Sequence, residues 1–232
     1  MLTVVCWVWD GPRRYRPEHA NTLYRMLRRH LHVQFRLVCI TDFSDGFDDG
    51  IEVMPIPAAA ESVGQIMSPE GANMPTCYRR LWLFSDEARS LGDRVLSLDV
   101  DLVILRDITS TVDRSEDFVG WKPRQTWGNA DRVAGGMYLL TTGSRTHVWT
   151  DFGSDEVRVV RRAGYRGSDQ AWMSYKLAKD AALFRQEDGL YAMSDLERRN
   201  WQPPADARIV QFAGIKKPWQ AMNLDWVMEH YR

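Results

Sequence analysis

Asp99 and Asp101 stand two residues apart inside the run VLSLDVDLVIL, at positions 95–105. The apolar stretch predicts a buried strand over Arg94–Leu98 that delivers both carboxylates at its carboxyl end. Open parallel sheets bind ligands in the crevice outside those strand ends. Residues i and i+2 of an extended chain point to the same side. Two carboxylates aimed one way repel unless a cation or a shared proton sits between them. A hard divalent ion, held jointly by carboxylates and substrate phosphates, meets that need. A bare D-x-D also arises from turn-forming aspartates, so its place directly after a buried strand gives this one meaning.

Three further stretches carry candidate chemistry. Gln211-Phe212-Ala213-Gly214-Ile215-Lys216-Lys217-Pro218-Trp219 follows Arg208–Val210 of a predicted strand that runs on to Phe212. Gly214 would let backbone approach a ligand closely, and the lysines would reach a phosphate as point charges. Gly167-Ser168-Asp169-Gln170 opens a predicted helix over Ser168–Ala178, with Ser168 as its cap. Ala134-Gly135-Gly136-Met137 is a glycine pair entering a strand, a place where a ligand can meet the backbone.

The elements that must position these residues read as an α/β chain. Thr3–Trp9 and Phe35–Thr41 are short β-branched runs suited to buried strands. Between them Arg16–His32 places Leu23, Leu27 and Leu31 four apart on one helix face, with Arg25, Arg28 and Arg29 outside. Ile51–Ile56 is a third strand, Ala58–Pro75 a loop and Thr76–Leu91 a helix with Tyr78, Leu81, Trp82 and Phe84 on its apolar side. Leu102–Leu105, Phe118–Trp121 and Met137–Leu140 read as strands, and Asn223–Tyr231 as a closing helix. The β-α-β opening signals a mostly parallel central sheet flanked by helices, and no linker divides residues 1–232.

In this order the pieces resemble glycosyltransferase family 8, the glycogenin and bacterial galactosyltransferase group. The matching pieces are the first strand to Asp10, Tyr78-Arg79-Arg80-Leu81, Asp99-Val100-Asp101, Ala134-Gly135-Gly136, Asp169-Gln170 and Gln211…Gly214…Lys217-Pro218-Trp219. The resemblance implies a single GT-A, Rossmann-like domain that moves a sugar from a nucleotide-diphosphate donor, most often a UDP-sugar, with retention. It implies Mn²⁺ or Mg²⁺ on Asp99, Asp101 and Gln211, and Lys217 on the diphosphate with Gly214 beside it. Arg80, Gly135, Gly136 and Gln170 would contact the donor, Asp169 the reaction centre, and Trp7, Val8, Trp9 and Asp10 the nucleobase. The chain departs from the family pattern twice. Gln211 stands where relatives carry a histidine ligand, and a neutral amide holds a cation less strongly. Ala134 stands where they carry asparagine.

Composition narrows the classes without choosing an acceptor. The 232 residues are 44% hydrophobic and 26% charged, with net charge -1, which excludes a disordered chain and bulk electrostatic binding to nucleic acid. Cys6, Cys39 and Cys77 lack metal-ligand spacing and read as thiols of a reducing compartment, hence a cytoplasmic chain. No apolar run approaches the ~18 residues of a membrane span. Basic stretches at Arg13, Arg14 and Arg16, at Arg25, Arg28 and Arg29, and at Arg158, Arg161, Arg162 and Arg166 keep a modified DNA base open as acceptor. A soluble saccharide, a protein and a lipid-linked glycan stand beside it. A nucleotidyltransferase of related fold and a catalytically weak nucleotide-sugar binding protein remain alternative readings.

Overall fold

The computed structural model describes residues 1–12, 15–69, 71, 74–123, 132–212, 214 and 216–232. Arg13 and Arg14 of the first basic stretch lie outside the described residues. The chain opens with strand β1 (Leu2–Val8), helix α1 (Pro17–His30), β2 (Phe35–Thr41) and β3 (Ile51–Pro55). Side chains alternate along β1. Val4, Cys6 and Val8 enter the core beneath α1, and Val5 and Trp7 enter the core on the opposite face of the sheet. Helix α1 starts with Pro17 at its first position, where a missing N–H costs nothing. It buries Leu23, Met26 and Leu27 and leaves Arg28 and Arg29 exposed.

Residues 58–75, expected to be a loop, contain helix α2 (Ala58–Gly64). It is too short for apolar periodicity to announce it. Residues 76–91, expected to be one α-helix, form two 3-10 segments, Cys77–Phe84 and Asp86–Leu91, broken at the extended Ser85. Every residue from Tyr78 to Phe84 is buried, so this segment is a core rod and not an amphipathic surface helix. Arg79 is buried with its guanidinium 4.8 Å from the centroid of the Trp9 ring, and Arg80 is buried on carboxylates.

Strands β4 (Arg94–Leu98) and β5 (Leu102–Ile104) flank the D-x-D pair. They are followed by α3 (Thr109–Val112), β6 (Phe118–Trp121), β7 (Ala134–Thr141), α4 (His147–Thr150), α5 (Glu156–Arg162) and α6 (Asp169–Leu177). The chain then forms β8 (Ala182–Phe184), β9 (Leu190–Ala192), β10 (Ile209–Gln211) and α7 (Asp225–His230). The large sheet has the order β3-β2-β1-β4-β7-β6-β8. Six of its strands run one way and β7 alone runs against them. A second sheet, β5-β10-β9, takes over where β4 ends. Among the described residues no helix is long and apolar enough to cross a membrane.

Candidate functional site

Asp99, Val100 and Asp101 occupy the short link between the two sheets. The Asp99 N–H donates to Gly136 O (2.9 Å), and the Phe212 N–H donates to Asp101 O (2.9 Å). The link is thereby stapled to β7 on one side and to the end of β10 on the other. Gln211 is registered opposite Leu102, which puts it next to the pair it was expected to join. Asp99, Asp101, Gln211, Asp169, Gln170, Arg80, Gly135, Gly136, Gly214 and Lys217 all line one cavity of about 540 Å³.

The glycine pair makes room for this cluster. A Cβ on Gly136 would lie 2.1 Å from Gln211 Oε1, and one on Gly135 would lie 2.7 Å from Arg80 Nη2 and 3.0 Å from Asp169 Oδ2. The space was expected to admit a ligand to the backbone, and protein side chains fill it. The pair belongs to β7 itself, which starts at Ala134, three residues before the expected strand start. Gly214 differs: its φ of 102° suits glycine, and no atom lies within 4 Å of where its Cβ would be. Its backbone stands open to the cavity.

Each aspartate of the pair has its own cation. Arg80 Nη1 bonds Asp99 Oδ1, while Arg80 Nε (2.8 Å) and Nη2 (2.6 Å) hold Asp169 Oδ2. Lys217 Nζ donates to Asp101 Oδ2, which also accepts from Tyr15 OH at 2.9 Å. Ser168, expected to cap α6, makes no cap hydrogen bond; its Oγ lies 3.2 Å from Asp169 Oδ1. Asp169 is 2% exposed and both its oxygens are engaged. Asp99 keeps 33% of its side chain exposed. Burial pushes its carboxyl up to about 6, against the pull of Arg80 and with the help of neighbouring Asp101 and Asp169.

Trp7 and Trp9 line the cavity at the carboxyl end of β1. Val8 points into the opposite core, and Asp10 is exposed and paired with Arg16 at 2.8 Å, so the structure brings neither to the cavity wall. Ala134 lines the wall where the family pattern has asparagine. Tyr15, Trp121 and Arg132 also line it and were not singled out from sequence. Tyr15 is set by an aromatic group in which it meets Trp219 edge-on at 5.9 Å and Trp219 packs on His19 at 3.8 Å. The His19 Nδ1 accepts the Arg16 N–H, and burial lowers its pKa. No spacing rule marks such a residue, because only tertiary packing brings it to Asp101.

Several arginines of the basic stretches are committed locally. Arg25 pairs with Asp48, Arg158 with Asp155, and Arg29 donates to the His230 and Arg232 carbonyls. Arg161 donates to Pro69 O. Arg28, Arg162 and Arg166 are exposed.

No family profile matches the sequence, and no curated protein matches it. Solved structures do. The galactosyltransferase LgtC, solved with donor and acceptor sugar analogues, aligns with TM-score 0.63 and 11% identity over 98% of this chain and 96% of its own. The glycosyltransferase GlyE of Streptococcus pneumoniae TIGR4 aligns with TM-score 0.62 and 13% identity over 100% of this chain and 62% of its own. The bifunctional glycosyltransferase WbbM aligns with TM-score 0.58 and 12% identity over 98% and 50%. The chain has the GT-A glycosyltransferase fold, with a mostly parallel central sheet flanked by helices.

Proposed function

We propose that this protein is a glycosyltransferase acting on a nucleotide-diphosphate sugar, a UDP-sugar first among them, with retention of anomeric configuration. The observation that carries the reading is the convergence of Asp99, Asp101, Lys217 and Arg80 on one cavity at the carboxyl end of β4. In such folds, strand ends of this kind receive the ligand.

The residues also fit a divalent cation. Asp99 Oδ2 and Asp101 Oδ1 have no partner among the described residues, and the buried Gln211 Nε2 has none either, so that amide is not fixed by a protein bond. Among the described residues no group of three His, Cys, Asp or Glu is arranged for a metal. The ligand set is therefore two carboxylates and the Gln211 amide, with substrate phosphate completing it. Bound there, Mn²⁺ or Mg²⁺ would supply Lewis-acid stabilisation to the departing diphosphate.

Lys217 offers a buried ammonium to the diphosphate, whose charge grows as the glycosidic bond breaks; that contact strengthens in the transition state. Trp7 and Trp9 flank the nucleobase. Asp169 has both oxygens engaged by Arg80 and Ser168, so it holds Arg80 in place and leaves attack to the acceptor hydroxyl on the same face as departure.

Calorimetric titration of UDP with and without Mn²⁺ across pH tests the cation site. A carboxyl raised to about 6 is ionised above that pH and protonated below it. The Mn²⁺-dependent part of UDP affinity is therefore expected to be full at neutral pH. It should fall by roughly tenfold per unit as pH drops below the Asp99 value, because protons compete with the metal. A Mn²⁺ effect that persists unchanged well into the acid range, or no Mn²⁺ effect at any pH, contradicts the assignment.

A further inference from the structure

Arg132 is a cation in the cavity wall with no counter-charge among the described residues. Of the three cationic side chains among the described lining residues, Arg80 holds Asp99 and Asp169, and Lys217 holds Asp101. Arg132 has no hydrogen bond or ion pair among the described residues, and its Nε is buried without a partner. Burial lowers its pKa, and no carboxylate among the described residues opposes that shift. A half-buried guanidinium whose Nε has no partner among the described residues is costly to retain. It remains charged near neutral pH and offers a planar fork of donors.

Arg132 lines the cavity from the residues that lead into β7. Its neighbour Val133 is clamped to α6: the Val133 N–H donates to Ser174 Oγ (2.9 Å), and Ser174 Oγ donates to Val133 O (3.1 Å). Helix α6 presents Asp169 and Gln170 to the cavity. Lys217 enters from the loop after β10. The same wall carries Trp121, registered opposite Ala134, whose buried indole N–H has no acceptor among the described residues. Two unpartnered donors beside Asp169 and Gln170 call for an acceptor-rich group on the sugar.

We infer that Arg132 recognises a carboxylate on a sugar bound in the cleft, so that the substrate class includes a uronic-acid-type sugar. The assignment rests on the nucleotide-sugar reading above and adds the chemistry of the sugar to it. A guanidinium fork matches a carboxylate with two parallel N–H···O bonds. Arg80, the other cation beside Asp169, is committed to Asp99 and Asp169, so Arg132 offers one fork, which suits a monoanion better than a phosphate.

The test is binding of UDP-glucuronic and UDP-galacturonic acid against UDP-glucose and UDP-galactose, with Mn²⁺ present. It compares the wild type with Arg132→Gln and Arg132→Lys. UDP, which lacks the sugar, is titrated on each variant to show that the cleft is intact. At least one acidic donor is expected to bind about tenfold or more tighter than its neutral counterpart, the effect of one charge-assisted pair. That preference should vanish in Arg132→Gln and survive in part in Arg132→Lys. A second arm titrates methyl glucuronide and methyl glucoside onto the UDP-saturated protein. A preference there that Arg132→Gln removes assigns the carboxylate to the acceptor. UDP binding without an acidic preference in either arm, or a preference that outlasts Arg132→Gln, overturns the Arg132 assignment alone. No UDP binding by the wild type overturns the nucleotide-sugar reading and this assignment together.

Discussion

Replacing Asp99 or Asp101 with asparagine is expected to lower donor turnover by at least about 100-fold, the usual effect of removing a charge that acts on the transition state. The two variants should differ in stability. Asp99→Asn leaves Arg80 with Asp169 as its remaining partner. Asp101→Asn leaves Lys217, only 7% exposed, with little beyond a 3.5 Å contact to Phe212 O. Crowded carboxylates by themselves would favour both substitutions in the folded state. The separate cations found here reverse that expectation for Asp101, because one partner of a buried pair cannot be removed cheaply. Turnover and thermal melting should be measured on the same preparations, with turnover taken well below the melting temperature. Activity within a few-fold of wild type in both variants contradicts the D-x-D assignment.

The second large effect concerns Arg80. Its guanidinium is 10% exposed and binds the 2%-exposed Asp169 through two nitrogens and Asp99 through a third. Arg80→Leu strands Asp169 in the core. The expected loss is about 3–5 kcal/mol, or roughly 6–20 °C in Tm for a chain of this length. Arg80→Leu combined with Asp169→Leu should recover most of that loss, since an apolar pair of similar volume replaces a buried ion pair at little cost. Differential scanning calorimetry of the single and double variants reads both. A single variant that melts within about 2 °C of wild type contradicts the buried bridge.

The sequence made legible the parts of this architecture that local pattern controls. Phe118–Trp121 and Arg94–Leu98 are found where their apolar runs place them, because a buried strand needs little beyond such a run. Asp99, Asp101, Asp169, Gln211 and Lys217 do meet in one cavity, as the order of their motifs implied. Local pattern failed where a residue's role is set by what packs against it. Gly135 and Gly136 read as a pair entering a strand where a ligand meets the backbone, yet they are strand residues whose missing side chains admit Arg80, Asp169 and Gln211. The Cys77–Phe84 segment showed an apolar side, but its arginines are buried too, one on an indole ring and one on carboxylates. Tyr15 and Arg132 are single residues with no motif around them. Their meaning comes from Asp101 in one case and from the lack of a partner among the described residues in the other.

The cleft is proposed as a site where a sugar is detached from a nucleotide diphosphate. Mass spectrometry tests it most directly, by incubating the protein with a panel of UDP-, GDP-, ADP- and dTDP-sugars, with and without Mn²⁺, and detecting released nucleoside diphosphate and free or transferred sugar. The expected result is Mn²⁺-stimulated release from at least one donor, UDP-sugars first, that disappears in Asp101→Asn. Absence of release from every donor, or pyrophosphate formed from a nucleoside triphosphate and a sugar phosphate in its place, would contradict it.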